Sequence, residues 1–164
     1  MFGKLFGKKD EKNPISLLAP VSGELVQLED VPDPVFSEKM MGEGIAINPA
    51  EGVAVSPIDG KIMQVFPTKH AVGIQAENGA EILIHIGLET VSLDGEGFTS
   101  HISEGDKVKQ GDKLISFDLN IIGTKAKSTL IPIIITNSAD MRSVKPADSK
   151  KVAAGEDEIL TVEK

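Results

Sequence analysis

The ionisable side chains leave few places where chemistry can happen. The 164-residue chain has no cysteine and 3 histidines, His70, His85 and His101. Thiolate nucleophiles, thiolate metal sites and disulfides are therefore excluded. The sequence holds no Gly-x-x-x-x-Gly-Lys-Ser/Thr loop, no His-Glu-x-x-His pair and no Gly-x-Ser-x-Gly elbow. A nucleotide-phosphate cradle, a zinc protease and a serine hydrolase thus lack their motifs. His85 is the unusual histidine, set in Glu81-Ile82-Leu83-Ile84-His85-Ile86-Gly87-Leu88. Strand alternation puts Ile82, Ile84, Ile86 and Leu88 on one apolar face and Glu81, Leu83, His85 and Gly87 on the other. Leu83 makes the surroundings of the imidazole apolar, and Gly87, lacking a side chain, leaves space beside it. Taken alone, such a histidine is ordinarily a half-buried side chain with a hydrogen-bond partner.

What raises His85 above that is its expected neighbour. Asn78-Gly79, between Ile74 and Ile82, is a hairpin signal. Gln75 then pairs with Glu81, and counting outward brings His70 next to Ile86, within about one residue of register. His70 follows the turn-like Phe66-Pro67-Thr68-Lys69, so it sits at a strand end near the sheet rim. The Thr68 hydroxyl can bond back to the imidazole or to the turn. Two adjacent imidazoles suit two jobs. One is phosphoryl transfer, in which a neutral imidazole attacks and the second ring donates a hydrogen bond to the phosphoryl oxygens. The other is zinc binding by His70 and His85, which leaves a tetrahedral site incomplete. Glu81 shares the His85 face but lies about 13 Å away along the strand, beyond a Debye length of about 8 Å. His101, among Thr99, Ser100, Ser103 and Glu104, reads as a surface residue.

These residues need a framework of strands. Gly 16 and Pro 9 favour turns, and apolar alternating runs recur about every ten residues over 23–28, 44–48, 60–65, 71–75, 81–88, 113–117, 130–136 and 158–162. That spacing predicts an all-β fold, a barrel-like antiparallel β-sandwich with little helix. One short helix is expected over 118–127. Pro132 implies that its strand lies at an edge or carries a bulge. The stretch Ala19-Pro20-Val21-Ser22-Gly23-Glu24-Leu25-Val26-Gln27-Leu28 echoes Ser56-Pro57-Ile58-Asp59-Gly60-Lys61-Ile62-Met63-Gln64-Val65. This implies two related strand–turn–strand units, too few for a solenoid. A second repeat, Gly105-Asp106-Lys107-Val108 and Gly111-Asp112-Lys113-Leu114, reads as two tight turns that each return an aliphatic side chain to the core.

Residues 1–13 are expected to form a flexible basic tail and residues 14–164 one domain. The net charge is -8, and the tail carries +2, which leaves -10 for the body. That sign argues against nucleic acid and favours basic protein partners. With Trp and Tyr absent, an aromatic stacking platform is missing too. No apolar run spans a membrane, and the N-terminus is not a signal peptide, so a cytoplasmic monomer is expected. Phe2, Leu5 and Phe6 among lysines allow at most weak membrane contact through residues 1–12. Met1 and the basic tail favour a free-standing protein.

The stretch from Glu81 to Val91, continuing Leu93-Asp94-Gly95-Glu96-Gly97-Phe98, resembles the phosphorylation-site signature of glucose-type enzyme IIA of the bacterial phosphoenolpyruvate-dependent sugar phosphotransferase system. So do Ala19-Pro20-x-Ser22-Gly23, Glu29-Asp30-Val31-Pro32-Asp33, Val35-Phe36, Gly42-x-Gly44-Ile45-Ala46-Ile47, Lys125-Ala126-Lys127-Ser128-Thr129-Leu130 and Pro132. The resemblance covers residues 14–164. It implies that His85 accepts a phosphoryl group from phosphohistidine on HPr and passes it to a Cys of an enzyme IIB domain. It also implies that His70 steadies the phosphate and that Thr68 hydrogen-bonds His70. Sugar never touches such a protein, and no cofactor is required. The implied partner surface is an apolar ring of Phe36, Met40, Met41, Phe66, Leu83 and Val91, with Asp33 and Glu89 at its border pairing with arginines of the donor. Met40-Met41 also read as adaptable binding surface, against the plainer possibility of core. Glu89 stands where relatives often have Asp, which bears on regulatory partners and on a zinc ion completed by a partner carboxylate.

Two other classes compete. A zinc hydrolase using His70 and His85 lacks a third ligand and a His-x-His pair. A lipoyl- or biotinyl-type carrier domain would need its lysine at a tight hairpin, whereas Lys39 lies in a longer, poorly symmetric stretch.

Overall fold

The computed structural model describes residues 13–164. The expected basic tail and the membrane contact through residues 1–12 lie outside the described residues. Asn13 already belongs to the body. Its side-chain oxygen accepts from the N–H of Lys164 at 2.7 Å and its amide donates to the Lys164 carbonyl at 3.2 Å.

The chain folds as strands β1 (Ile15–Leu18), β2 (Gly23–Gln27), β3 (Glu43–Pro49), β4 (Val53–Val55), β5 (Gly60–Val65), β6 (Ala71–Ala76), β7 (Glu81–His85), β8 (Phe98–Ser100), β9 (Lys107–Val108), β10 (Lys113–Phe117), β11 (Ile131–Ile135), β12 (Ser143–Pro146), β13 (Lys151–Val152) and β14 (Glu158–Glu163). Among the described residues, helix is confined to α1 (Pro34–Ser37), α2 (Leu119–Lys125) and short 3-10 turns. Every strand pair among the described residues is antiparallel, as expected. An eight-stranded sheet runs in the order β9-β5-β6-β7-β11-β3-β2-β13, and three-stranded sheets β4-β10-β8 and β12-β14-β1 pack with it. Helix α2 matches the expected one and starts where the Asp118 carboxylate accepts from the N–H groups of Asn120 and Ile121.

The sequence echo is built into the sheet. The Pro20 carbonyl accepts from Val55 N–H at 2.8 Å, and the Pro57 carbonyl accepts from Leu18 N–H at 3.0 Å. Each echoing unit carries a two-residue edge strand at the same place, Lys151 and Val152 on Glu24 and Gly23, Lys107 and Val108 on Lys61 and Gly60. The two halves of the large sheet thus mirror each other about β7 and β11. The Gly-Asp turns form as read. Asp106 and Asp112 each accept the N–H three residues back, from Ser103 and Lys109 at 2.8 Å, and Val108 and Leu114 are buried.

Pro132 departs from expectation. Its strand is central, not an edge, with β3 on one side and β7 on the other. Pro132 itself pairs only with Ala46, because the ladder to β7 begins one residue later, at Ile133 and Ile84. The missing N–H therefore falls where that ladder has already ended.

The main core takes Ile82, Ile84, Ile133 and Ile135 from one face of the large sheet. The opposite face carries a second, smaller apolar cluster of Leu28, Val31, Phe36, Ala46, Ala71, Leu83, Leu88 and Ile134. The segment from Leu28 to Phe36 lies over this face. The expected alternation holds through Ile86, which joins the main core, and then breaks. The chain turns at Gly87, whose φ is +80°, and Leu88 joins the second cluster instead.

Candidate active site

The hairpin delivers the two histidines as its register requires. Gln75 pairs with Glu81, Ala71 pairs with His85, and Ile86 N–H donates to the His70 carbonyl at 2.7 Å. The imidazole rings meet edge to face, with centroids 4.9 Å apart and planes at 77°. Phe36 packs on His85 at 5.3 Å and Phe66 on His70 at 5.5 Å.

Hydrogen bonds fix each ring. The His85 Nδ1 lies 2.8 Å from the Gly87 carbonyl. A carbonyl only accepts, so Nδ1 carries the proton and the neutral ring bears its lone pair on Nε2. Gly87 is thus used for its backbone and not for the empty space assigned to it from alternation. A Cβ there would stand 2.5 Å from the Thr90 methyl and 3.1 Å from the Ser128 carbonyl oxygen. The Nδ1 of His70 bonds the Thr68 hydroxyl. Burial pushes His85 below the ordinary histidine value, opposed by its bond to the Gly87 carbonyl and by the negative charge of Asp33. Burial, and then the charge of His85, pushes His70 down to about 4. At pH 7 the His70 ring is therefore neutral, and it is only 4 % exposed. His85 offers an unprotonated nitrogen beside a second, neutral imidazole, an arrangement for nucleophilic transfer to and from an incoming group.

Residues 15–141 match the family model of the phosphoenolpyruvate-dependent sugar phosphotransferase system, EIIA 1. The chain belongs to this family. It is 55% identical over 162 residues to the PTS system glucose-specific EIIA component of Bacillus cereus, covering 99% of this chain and 98% of the relative. The Staphylococcus epidermidis protein of the same name is 56% identical over 164 residues, with 99% and 98% covered. The glucose permease IIA from Mycoplasma capricolum superimposes with a TM-score of 0.84 at 41% identity, covering 90% of this chain and 95% of that one. The chain is thus a phosphocarrier component of sugar uptake. The hydrolase and lipoyl-type readings find no support. Among the described residues no group of three or more His, Cys, Asp or Glu side chains is placed to hold a metal ion. Lys39, the candidate carrier lysine, instead pairs with Glu29 at 3.4 Å.

In this EIIA-family chain the expected ring of docking residues divides by depth. Met40 (69 % exposed), Met41 and Val91 (58 % exposed) project to the surface, so the methionines are surface and not core. Phe36 and Leu83 are buried, at 4 % and 5 % exposed, and form the floor beneath His85. Phe66 is half-buried against the same cluster. The reason is the overlying segment from Leu28 to Phe36, which covers the face that alternation left open. Asp33 begins α1, accepting the Val35 N–H at 3.0 Å, and so places Phe36 on the imidazole. Glu89 is exposed, adopts a left-handed backbone at φ 59° and lies 3.9 Å from the Lys127 ammonium. His101 is exposed and bonds Ser116 at 2.7 Å, apart from the histidine pair. The Gly87 carbonyl and the buried Thr90 do not stand out in the sequence. The only signal for them is the Gly-x-x-Thr spacing that begins two residues after His85.

Proposed function

We propose that His85 is the phosphoryl acceptor of this phosphocarrier and that His70 and Thr68 assist it. The observation that carries this reading is the bond from His85 Nδ1 to the Gly87 carbonyl, which leaves Nε2 as the nucleophile. The Nε2 lone pair attacks the phosphorus of a phosphohistidine on HPr. The donor's N–P bond breaks, and its electron pair returns to the donor nitrogen. No proton need leave His85, because Nδ1 keeps its own throughout. In this reading the Thr68 hydroxyl donates to His70 Nδ1, so His70 holds its proton on Nε2 and donates to a phosphoryl oxygen. A thiolate of an enzyme IIB domain then attacks phosphorus, and the N–P electrons return to His85 Nε2.

Met40, Met41 and Val91 are the apolar docking surface, Phe36, Phe66 and Leu83 support the rings from below, and Asp33 and Glu89 meet arginines of the basic donor. The relatives' names carry glucose, and we take glucose as the sugar whose uptake this chain serves, working in the cytoplasm. The transfer needs no cofactor. A zinc ion would find two imidazole nitrogens here and would take its other ligands from a partner protein; metal analysis after equilibration with zinc tests whether the isolated chain holds it.

Reconstitution with phosphoenolpyruvate, enzyme I and HPr, read by intact mass, tests the assignment. One acid-labile phosphoryl group is expected, and His85→Ala should carry none. Phosphoryl uptake at the normal rate by His85→Ala would refute it.

A further inference from the structure

The carbonyl of Gly87 decides which nitrogen of His85 is free, so whatever fixes that carbonyl takes part in the chemistry at one remove. Two peptide planes set its position, the one before Gly87 and the one after it. The following plane is anchored through Leu88, whose N–H donates to the Ser128 carbonyl at 2.9 Å. The preceding plane presents the Ile86 carbonyl, and that carbonyl accepts the Thr90 hydroxyl at 2.7 Å. Thr90 is completely buried, one of four buried polar or charged side chains among the described residues. A hydroxyl is costly there unless it is hydrogen-bonded, and the Ile86 carbonyl is the acceptor that satisfies it. The methyl of Thr90 also fills the space where a side chain at Gly87 would stand. Glycine resists rotation of its flanking planes less than any other residue, so the tether at Ile86 has most effect at this position.

We propose that Thr90 is a positioning residue for phosphoryl transfer. Its hydroxyl holds the Ile86 carbonyl, which fixes the orientation of the Gly87 carbonyl, which in turn keeps the His85 proton on Nδ1 and the lone pair on Nε2. Thr90 touches neither the phosphoryl group nor the imidazole. The proposal rests on the reading of His85 as the acceptor, and its test includes a measurement that does not depend on transfer.

Thr90→Val keeps the shape and removes the hydroxyl, whereas Thr90→Ser keeps the hydroxyl and removes the methyl. Nitrogen-15 NMR of the unphosphorylated protein reports the His85 tautomer directly. The wild type and Thr90→Ser should show the Nδ1–H form alone, and Thr90→Val should show a mixture with the Nε2–H form. Phosphoryl uptake from phosphorylated HPr should fall about tenfold or more in Thr90→Val, as for a misplaced reacting group, and should largely recover in Thr90→Ser. A pure Nδ1–H tautomer in Thr90→Val overturns the proposal, as does equal loss of uptake in the Val and Ser variants, which would leave packing as the cause. If Thr90→Val does not fold, Thr90→Ala and Thr90→Ser make the same comparison, and identical tautomers in that pair overturn it. Should His85 prove not to accept phosphate, the tautomer measurement still decides what Thr90 does.

Discussion

At the scale of residues, the two histidines share an apolar site, and the proposed transfer gives them different work. Both rings are pushed toward the neutral form, chiefly by burial, so neither depends on deprotonation at neutral pH to be ready. Uptake of phosphate should therefore stay level from pH 8 down to about 6.5, the ordinary histidine value, in rapid-quench measurements with phosphorylated HPr. A fall already centred at pH 7 would contradict the low value of His85. The roles separate in His70→Ala. That variant keeps the nucleophile, so it should still accept phosphate. It lacks the donor to the phosphoryl oxygens, so transfer onward to enzyme IIB should slow by about a hundredfold, as when one oxyanion donor is removed. Normal onward transfer would remove His70 from the mechanism. The pairing of the histidines is legible in the sequence, because Asn78-Gly79 sets the register that brings Ala71 opposite His85. The bond from His85 to Gly87 is not, since period-2 alternation predicts where side chains point and says nothing of where a carbonyl turns once the strand has ended.

At the scale of elements, the turn after β7 is where the strand pattern and the structure part. Alternation carries the strand on to Leu88, but Gly87 takes a positive φ and sends Leu88 to the other cluster. Gly87→Ala tests that turn. The new methyl would have to displace the buried Thr90 side chain at 2.5 Å, and an L-residue at this φ costs about 1–2 kcal/mol before any clash. Urea unfolding should show a loss of about 2 kcal/mol or more, together with slower phosphoryl uptake. Stability and uptake equal to wild type would mean that the turn tolerates a side chain. Other elements divide along a similar line. The Gly-Asp turns and α2 are legible because their signals are local, a carboxylate accepting a backbone N–H close by in sequence. The edge strands Lys107–Val108 and Lys151–Val152 are not, because two residues are too few to show a period. Pro132 misleads because its place depends on where a neighbouring strand stops.

At the scale of the whole molecule, an internal echo runs through the framework, and the departure from it shapes the site. The echo between residues 19–28 and 56–65 is legible as sequence, and its reciprocal bonds between Pro20 and Val55 and between Pro57 and Leu18 follow from it. The second apolar cluster is not legible, since it exists only when the segment from Leu28 to Phe36 covers one face of the sheet. That cover sets Phe36 on His85, Phe66 packs on His70, and the burial of His70 links the site to the stability of the fold. In the unfolded chain His70 titrates near 6.5, whereas in the folded protein burial and the charge of His85 hold it to about 4. Above pH 6.5 the ring is neutral in both states and has no effect. As pH falls from about 6.5 toward 4, the unfolded chain binds a proton that the folded chain does not, so stability falls; below about 4 the loss is complete. The interval from pH 7 to pH 5 is where this difference opens. Urea unfolding of the wild type and of His70→Gln across that interval isolates the contribution of His70. The wild type should lose more stability than the variant between pH 7 and pH 5. Parallel curves would mean that the fold does not hold His70 neutral, and the two rings would then face the incoming phosphate with a charge that the present geometry does not give them.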